Sequence, residues 1–269
     1  MIYEKIKLFD DRENVFLEVF CADKIWDMKR DAILVIPGGG YSGVCSEREG
    51  EPIALAFLAR GMNAFVLHYS VGAEAATTRP LLEASAAMKY IKDNSEKYNI
   101  NPDRVFACGF SAGGHLCASL GTLWHLPEAT EGLDMPYGYN KPAGIMPIYA
   151  VITPFVPDAH MASFYNLFGS QNPDESLMKK YSLSDAVDEK SSPAFIVHTT
   201  TDQLVTVQNS LAFAKAYADR HMKFEMHIYP DAPHGVALAN DITSMGNPEF
   251  DNSAIAKWVD HAVEWTKHI

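Results

Sequence analysis

Gly109-Phe110-Ser111-Ala112-Gly113 sets a serine between two glycines in a G-x-S-x-G pattern. The pattern suits a serine that acts as a nucleophile. A sharp turn from strand to helix lifts the hydroxyl above the backbone, and the flanking glycines leave room where Cβ atoms would collide. The context agrees with this chemistry. Residues 104–110 (RVFACGF) read as an apolar strand, and AGGHL opens a helix of small residues over 112–123. The amino end of that helix would face negative charge developing on an attacked carbonyl.

A serine hydroxyl is almost never ionised at neutral pH, so the chemistry needs a base. Of ten histidines, His234 stands in Pro230-Asp231-Ala232-Pro233-His234-Gly235, a turn-rich loop directly after the last apolar strand. His68, His198 and His227 fall inside strands and are expected to pack there. His115, four residues along the serine's own helix, is expected to support it. A histidine base is oriented in turn by a carboxylate. Asp202 follows the apolar run FIVHTTT at the end of an earlier strand. Asp231 lies only three residues from His234 and would need an unusual loop, and Asp185 and Asp188 are placed less well. The expected triad is therefore Ser111, Asp202 and His234, in that chain order.

The remaining requirement is a set of donors for the oxyanion. Pro37-Gly38-Gly39-Gly40-Tyr41 follows an apolar strand, and it lacks both the GK[ST] of a phosphate loop and the spacing of a dinucleotide fingerprint. Beside a nucleophilic serine, the backbone N–H groups of Gly39, Gly40 and Ala112 are the expected donors.

These residues must be carried by a sheet. Two alternating strands at 3–9 and 15–20 open the chain, split by the polar turn 10–14. Continuous apolar runs follow at 32–36 and 63–68, the pattern of strands buried on both faces, and further strands are read at 104–110, 144–152, 194–199 and 223–229. Helical patterns separate them: 46–58, where Ser46 and Glu49 have capping-box spacing, then 80–98, 112–123, 207–220 and 254–267. Asn101-Pro102-Asp103 is expected to break the second of these. The alternation predicts an α/β chain, one domain over 1–269, with a mostly parallel, doubly wound sheet of about eight strands. Two stretches, 124–142 and 153–192, do not fit the alternation and are rich in Pro, Gly and aromatics. Both are expected to form lid or binding insertions over the strand C-termini, with Tyr41, Phe155 and Phe164 as expected substrate contacts.

Composition narrows the partners. The net charge of −12 argues against nucleic acid or anionic membrane, which need a basic face. No apolar run reaches the roughly 18 residues of a membrane span, and MIYEKIKLFDDREN has no signal-peptide core. Four cysteines lack CxxC spacing, and Cys108 and Cys117 sit in apolar surroundings; a reducing, cytoplasmic setting is expected, with no metal and no organic cofactor. A small-molecule substrate is the expected partner, and a homo-oligomer is compatible with this reading.

PGGGYSGVCSEREGEPIA, NPDRVFACGFSAGGHLCASL, TTTDQLV, PDAPHG and KWVDHAVEW together resemble the esterase/lipase branch of the α/β-hydrolases, with its bacterial acetyl xylan esterase-like and feruloyl esterase-like proteins. The resemblance covers nearly the whole chain. Pro37 stands where hormone-sensitive-lipase-like relatives carry the histidine of HGGG, and the glycine donors remain. The resemblance implies an α/β-hydrolase fold and hydrolysis of short acyl esters, often acetyl groups on sugars. An amidase or arylformamidase is the alternative implied by relatives with a glycine-rich oxyanion loop. A non-catalytic ligand-binding member is disfavoured because all three triad residues are present, and a prolyl-type peptidase because no gating domain is.

Overall fold

Strands that are apolar at every position need cover on both faces, and the sheet supplies it. The computed structural model describes residues 1–75, 79–157 and 159–269. Eight strands form one sheet: β1 (Ile2–Lys7), β2 (Phe16–Cys21), β3 (Arg30–Ile36), β4 (Asn63–His68), β5 (Ile100–Phe110), β6 (Ile145–Ile148), β7 (Ala194–Thr199) and β8 (Phe224–Tyr229). Their order is β1-β2-β4-β3-β5-β6-β7-β8. β2 is antiparallel to both β1 and β4, and the pairs from β4 to β8 are parallel. The edge strand β1 alternates between half-buried and exposed residues, whereas β7 is buried throughout.

Helices cover both sides: α1 (Ser46–Glu49), α2 (Glu51–Leu58), α3 (Arg79–Asp93), α4 (Ser111–Thr122), α5 (Met161–Phe168), α6 (Gln208–Asp219) and α7 (Trp258–Thr266). Successive strand residues point to opposite faces, so β3 feeds two cores. Leu34 and Ile36 join Met88 of α3, Leu116 of α4 and Phe213 of α6. Ile33 and Val35 join Phe57 of α2 and Trp258 of α7. Cys108 and Cys117 are buried free thiols, one on each side. Among the described residues no helix is long and apolar enough to cross a membrane.

Two expectations need correction. The chain turns at Asn99, which adopts a left-handed conformation (φ 53°, ψ 48°), and not at 101–103, which belong to β5. The register of β5 against β3 shifts between Arg30 and Ala32, which accommodates Pro102 in a local irregularity. The stretch 124–142 lies at the far end of the sheet from Ser111. Asn140 Nδ2 donates to Ser85 Oγ (3.0 Å), Lys92 Nζ donates to the Lys141 carbonyl (3.0 Å), and Tyr137 and Tyr139 share a cavity with Pro102 and Asp103. The reason is topological. This stretch joins the end of a crossover helix to the start of the next parallel strand, and a crossover returns the chain to the amino ends of the strands, opposite Ser111. The stretch 153–192 instead follows the carboxyl end of β6, on the side of Ser111; its residue 158 lies outside the described residues.

The joint that matters most for the site is between α4 and β3. A Cβ on Gly113 would lie 2.2 Å from the carbonyl oxygens of both Ile36 and Pro37, whereas a Cβ on Gly43 would meet nothing within 4 Å. Gly113→Ala is therefore expected to cost roughly 2–3 kcal/mol, about 5–10 °C of melting temperature at this chain length. Gly43→Ala should melt within about 2 °C of the wild-type protein. Thermal melts of the two variants check this; equal melting temperatures would remove the α4–β3 joint from the account.

Candidate active site

β5 ends at Phe110 in extended conformation (φ −118°, ψ 133°), and Ser111 turns the chain with φ 53°. A Cβ on Gly109 would lie 2.2 Å from the Gly113 carbonyl oxygen, so only glycine closes this turn. Ser111 is 8% exposed, and its carbonyl accepts from Val151 N–H (3.1 Å), which fixes the peptide that carries it.

The structure brings Ser111, His234 and Asp202 together. His234 Nδ1 lies 2.7 Å from Asp202 Oδ2, and Nε2 lies 2.9 Å from Ser111 Oγ. A carboxylate only accepts, so Nδ1 carries the ring's proton and Nε2 is free to accept from the serine. Asp202 sits in the turn after β7, where Oδ1 accepts from the N–H groups of Leu204 (3.0 Å) and Val205 (2.9 Å). Burial favours its neutral form, but hydrogen bonds from His198, His234 and Val205 N–H outweigh that and hold the carboxyl well below the usual carboxylate range.

His198 packs inside β7 as expected, and it also reaches the site. Its Nε2 donates to the Val205 carbonyl (2.8 Å) while lying 3.4 Å from Asp202 Oδ2, and its Nδ1 pairs with Ser210 Oγ (2.7 Å). Asp202 therefore has a histidine on each side.

The glycine loop leaves β3 with positive φ at Gly39 (129°), Gly40 (64°) and Tyr41 (56°). It is held at several atoms. Gly38 N–H donates to Glu49 Oε2 (2.8 Å), Tyr69 O–H to the Pro37 carbonyl (2.8 Å), and Asn166 Nδ2 of α5 to the Gly40 carbonyl (2.8 Å). Among the described residues, the N–H groups of Gly39 and Gly40 take no partner. Ala112 stands in the first turn of α4, where no preceding turn supplies an acceptor for its N–H.

Several residues of the site carry no signal in the local sequence pattern. Ser46 and Glu49 form no capping box, because Cys45 takes the cap position without a side-chain bond. Glu49 instead reaches Gly38 and accepts from Tyr149 O–H (2.9 Å). The Arg48 guanidinium donates to the Gly235 carbonyl and, through Nε, to the Thr243 carbonyl (3.2 Å), gripping the histidine loop. All these partners are distant in sequence.

The expected substrate contacts divide. Tyr41 and Phe164 are each 1% exposed and pack around His115, so neither ring offers a surface to a ligand; Phe155 is 52% exposed. The correction has a simple cause: aromatic type does not distinguish a pocket wall from a core residue. An open cleft of about 680 Å³ begins at His234 and is bounded by Thr201, Gln203, Leu204, Asp231 and Glu249. Among the described residues no group of three or more His, Cys, Asp or Glu is placed to hold a metal ion.

His115 fastens the glycine loop from below. Nε2 donates to the Tyr181 carbonyl (3.0 Å), so Nδ1 accepts from Tyr41 O–H (3.0 Å). Burial pushes this imidazole down from about 6.5 to about 4. The folded protein keeps it neutral where the unfolded chain already binds a proton, so stability falls as pH drops from 6.5 towards 4. The loss amounts to about 3 kcal/mol at the lower end. His115→Gln can keep both hydrogen bonds without titrating. Its melting temperature is expected to fall less than the wild type's between pH 6.5 and 4; parallel melting curves across that window would contradict this role.

Comparison with known proteins follows the same geometry. The family model described as BD-FAE matches residues 18–217. The chain is 38% identical over 220 residues to endo-1,4-beta-xylanase B of Butyrivibrio fibrisolvens, covering 80% of this chain and 34% of that one. It is 30% identical over 207 residues to an acetylxylan esterase of Xylanibacter ruminicola, covering 76% and 40%. The chain thus spans less than half the length of these two relatives. Among solved structures, an acetyl ester-xyloside bifunctional hydrolase of Caldicellulosiruptor lactoaceticus superposes with a TM-score of 0.85 at 31% identity over 98% of this chain and 96% of its own. A carboxylesterase of Lactobacillus plantarum WCFS1 gives 0.84 at 26% identity, over 100% and 98%. The matched span covers most of the chain and the superposed structures share its fold, and the chain belongs to the BD-FAE family of α/β-hydrolases.

Proposed function

We propose that the protein is a serine carboxylic-ester hydrolase that removes short acyl groups, chiefly acetyl, from sugar esters. The observation that carries this reading is the unbroken hydrogen-bond path from Ser111 Oγ through His234 to Asp202 at the strand-to-helix turn. Ser111 O–H gives its proton to His234 Nε2 as Oγ bonds the ester carbonyl carbon. The carbonyl oxygen takes the negative charge and is received by the N–H groups of Gly39, Gly40 and Ala112. Asp202 stabilises the imidazolium, which passes its proton to the departing alcohol oxygen as the C–O bond breaks. Water then loses a proton to His234 and attacks the acyl carbon. Collapse frees the carboxylic acid and returns the proton to Ser111.

His234 protonates the leaving group, so the alcohol belongs on its side, in the cleft of about 680 Å³. Thr201, Gln203, Asp231 and Glu249 line that cleft and suit a hydroxyl-rich alcohol such as a sugar. Relatives named for acetylxylan and acetyl ester-xyloside hydrolysis support the same choice. The acyl group is assigned to the side of Gly40, opposite the alcohol, and its small size follows the acetyl esters for which those relatives are named.

Ser111→Ala should keep the wild-type melting behaviour and lose several orders of magnitude of ester hydrolysis; activity within tenfold of wild type would remove Ser111 from the reaction. Across p-nitrophenyl esters from acetyl to decanoyl, kcat/KM is expected to fall steeply after propionyl, and acetylated xylo-oligosaccharides should be turned over. Rates that rise with chain length would refute the short-acyl reading. Efficient N-formylkynurenine cleavage with negligible acetyl ester activity would replace it with an arylformamidase.

A further inference from the structure

We propose that Glu49 is a positioning residue that ties the oxyanion loop to the loop of His234 and sets a negative charge beneath the imidazolium that forms there. The inference rests on the hydrolytic reading of Ser111 and His234 given above. Glu49 is 5% exposed, and both its oxygens are used as acceptors. Oε2 takes the N–H of Gly38, the residue before the glycine pair, at 2.8 Å. Oε1 takes the hydroxyl proton of Tyr149 at 2.9 Å. The Tyr149 oxygen in turn accepts from the N–H of Ala237, three residues beyond His234, at 3.0 Å. Gly38, Glu49, Tyr149 and Ala237 therefore form one bridge, with the oxyanion loop at one end and the histidine loop at the other.

Tyr149 is held for this purpose in an unusual way. It has φ 37° without being glycine, and its ring stands 5.1 Å from the His234 ring at 71°, edge against face. Strain of this kind persists only where surrounding structure enforces it. Arg48, the neighbour of Glu49 on the one-turn helix α1, grips the Gly235 and Thr243 carbonyls, so two adjacent side chains hold the histidine loop.

A backbone N–H and the Tyr149 hydroxyl both face Glu49 as donors, and hydrogen bonds of this kind favour its ionised form. Burial pushes Glu49 up, while the bonds from Gly38 and Tyr149, the Arg48 charge and a protonated His234 oppose that rise. Among the described residues, Cys45, Tyr69, Cys108 and Tyr149 also interact with it, and each is itself pushed up by burial. None of these four brings a positive charge. The closest polar partners of Glu49 are thus dipoles, an arrangement that leaves its charge available to an imidazolium formed in turnover.

The test compares Glu49→Gln with Tyr149→Phe, using p-nitrophenyl acetate. The glutamine amide can accept from Gly38 N–H and donate to the Tyr149 oxygen, so it keeps the bridge and removes the charge. Its kcat is expected to fall about tenfold or more, with KM within about twofold. The acid limb of its kcat/KM profile should move to lower pH, because the imidazolium loses a neighbouring anion. Tyr149→Phe breaks the bridge to Ala237 and keeps the charge; its kcat should fall while the acid limb stays in place. A folded Glu49→Gln enzyme with wild-type kcat and an unmoved acid limb overturns the proposal. Where Glu49→Gln does not fold, wild-type kcat in Tyr149→Phe overturns it. Ser111→Ala serves as the control: wild-type activity that survives in Ser111→Ala defeats the hydrolytic reading, whereas activity lost in Ser111→Ala and unaffected in Glu49→Gln defeats this inference alone.

Discussion

The backbone of Ser111 is held at φ 53°, a conformation that costs a residue with a Cβ on the order of 1 kcal/mol or more, and the surrounding residues are chosen to keep it there. Gly109 and Gly113 remove the side chains that would collide across the turn. Gly113 also lets the first turn of α4 touch the carbonyls of Ile36 and Pro37, where the glycine loop begins. The serine and its proposed oxyanion donors therefore share one rigid joint between β3 and β5. Neither could move by an ångström without the other, and such precision is what a reaction through a charged intermediate needs.

Two buried carboxylates surround this joint, and their bonding sets them different tasks. Asp202 is met by two backbone N–H groups and lies beside two histidines, and it stays ionised against its burial. It can hold the proton of His234 at Nδ1 and so keep Nε2 ready for the serine. Glu49 meets one backbone N–H and one tyrosine hydroxyl, and burial pushes it the other way. Its reach is structural as well as electrical, because Gly38 belongs to the oxyanion loop and Tyr149 in turn bonds the histidine loop at Ala237. At buried positions such as these, a charge on either carboxylate acts more strongly than it would at a surface.

The parts legible in the sequence were those where one residue type has one plausible use at its position. Apolar runs without alternation marked β3 and β4, and the glycines around Ser111 announced the turn. Chain order and strand ends then picked out Asp202 and His234 from many rivals. Glu49 was hidden because its spacing from Ser46 offered a local explanation, whereas its real partners, Gly38 and Tyr149, lie 11 and 100 residues away. His198 read as a packed strand residue, and it is one; its approach to Asp202 depends on how the turn after β7 folds back. Tyr41 and Phe164 were misplaced because an aromatic ring suits a core as well as a pocket. The stretch 124–142 was misplaced for a different reason. Its composition resembled a binding loop, yet its position between a helix and the next parallel strand already sends it away from Ser111.

Hydrolysis by this site requires that Ser111 Oγ forms the covalent bond and that His234 activates it. Diethyl p-nitrophenyl phosphate tests both at once, since attack by an activated serine transfers the diethylphosphoryl group to it and releases p-nitrophenolate. Peptide mapping by mass spectrometry should find that group on Ser111, with one p-nitrophenolate released per chain, and little of either in His234→Ala. A label on another residue, or equal labelling of Ser111 without His234, would contradict the account.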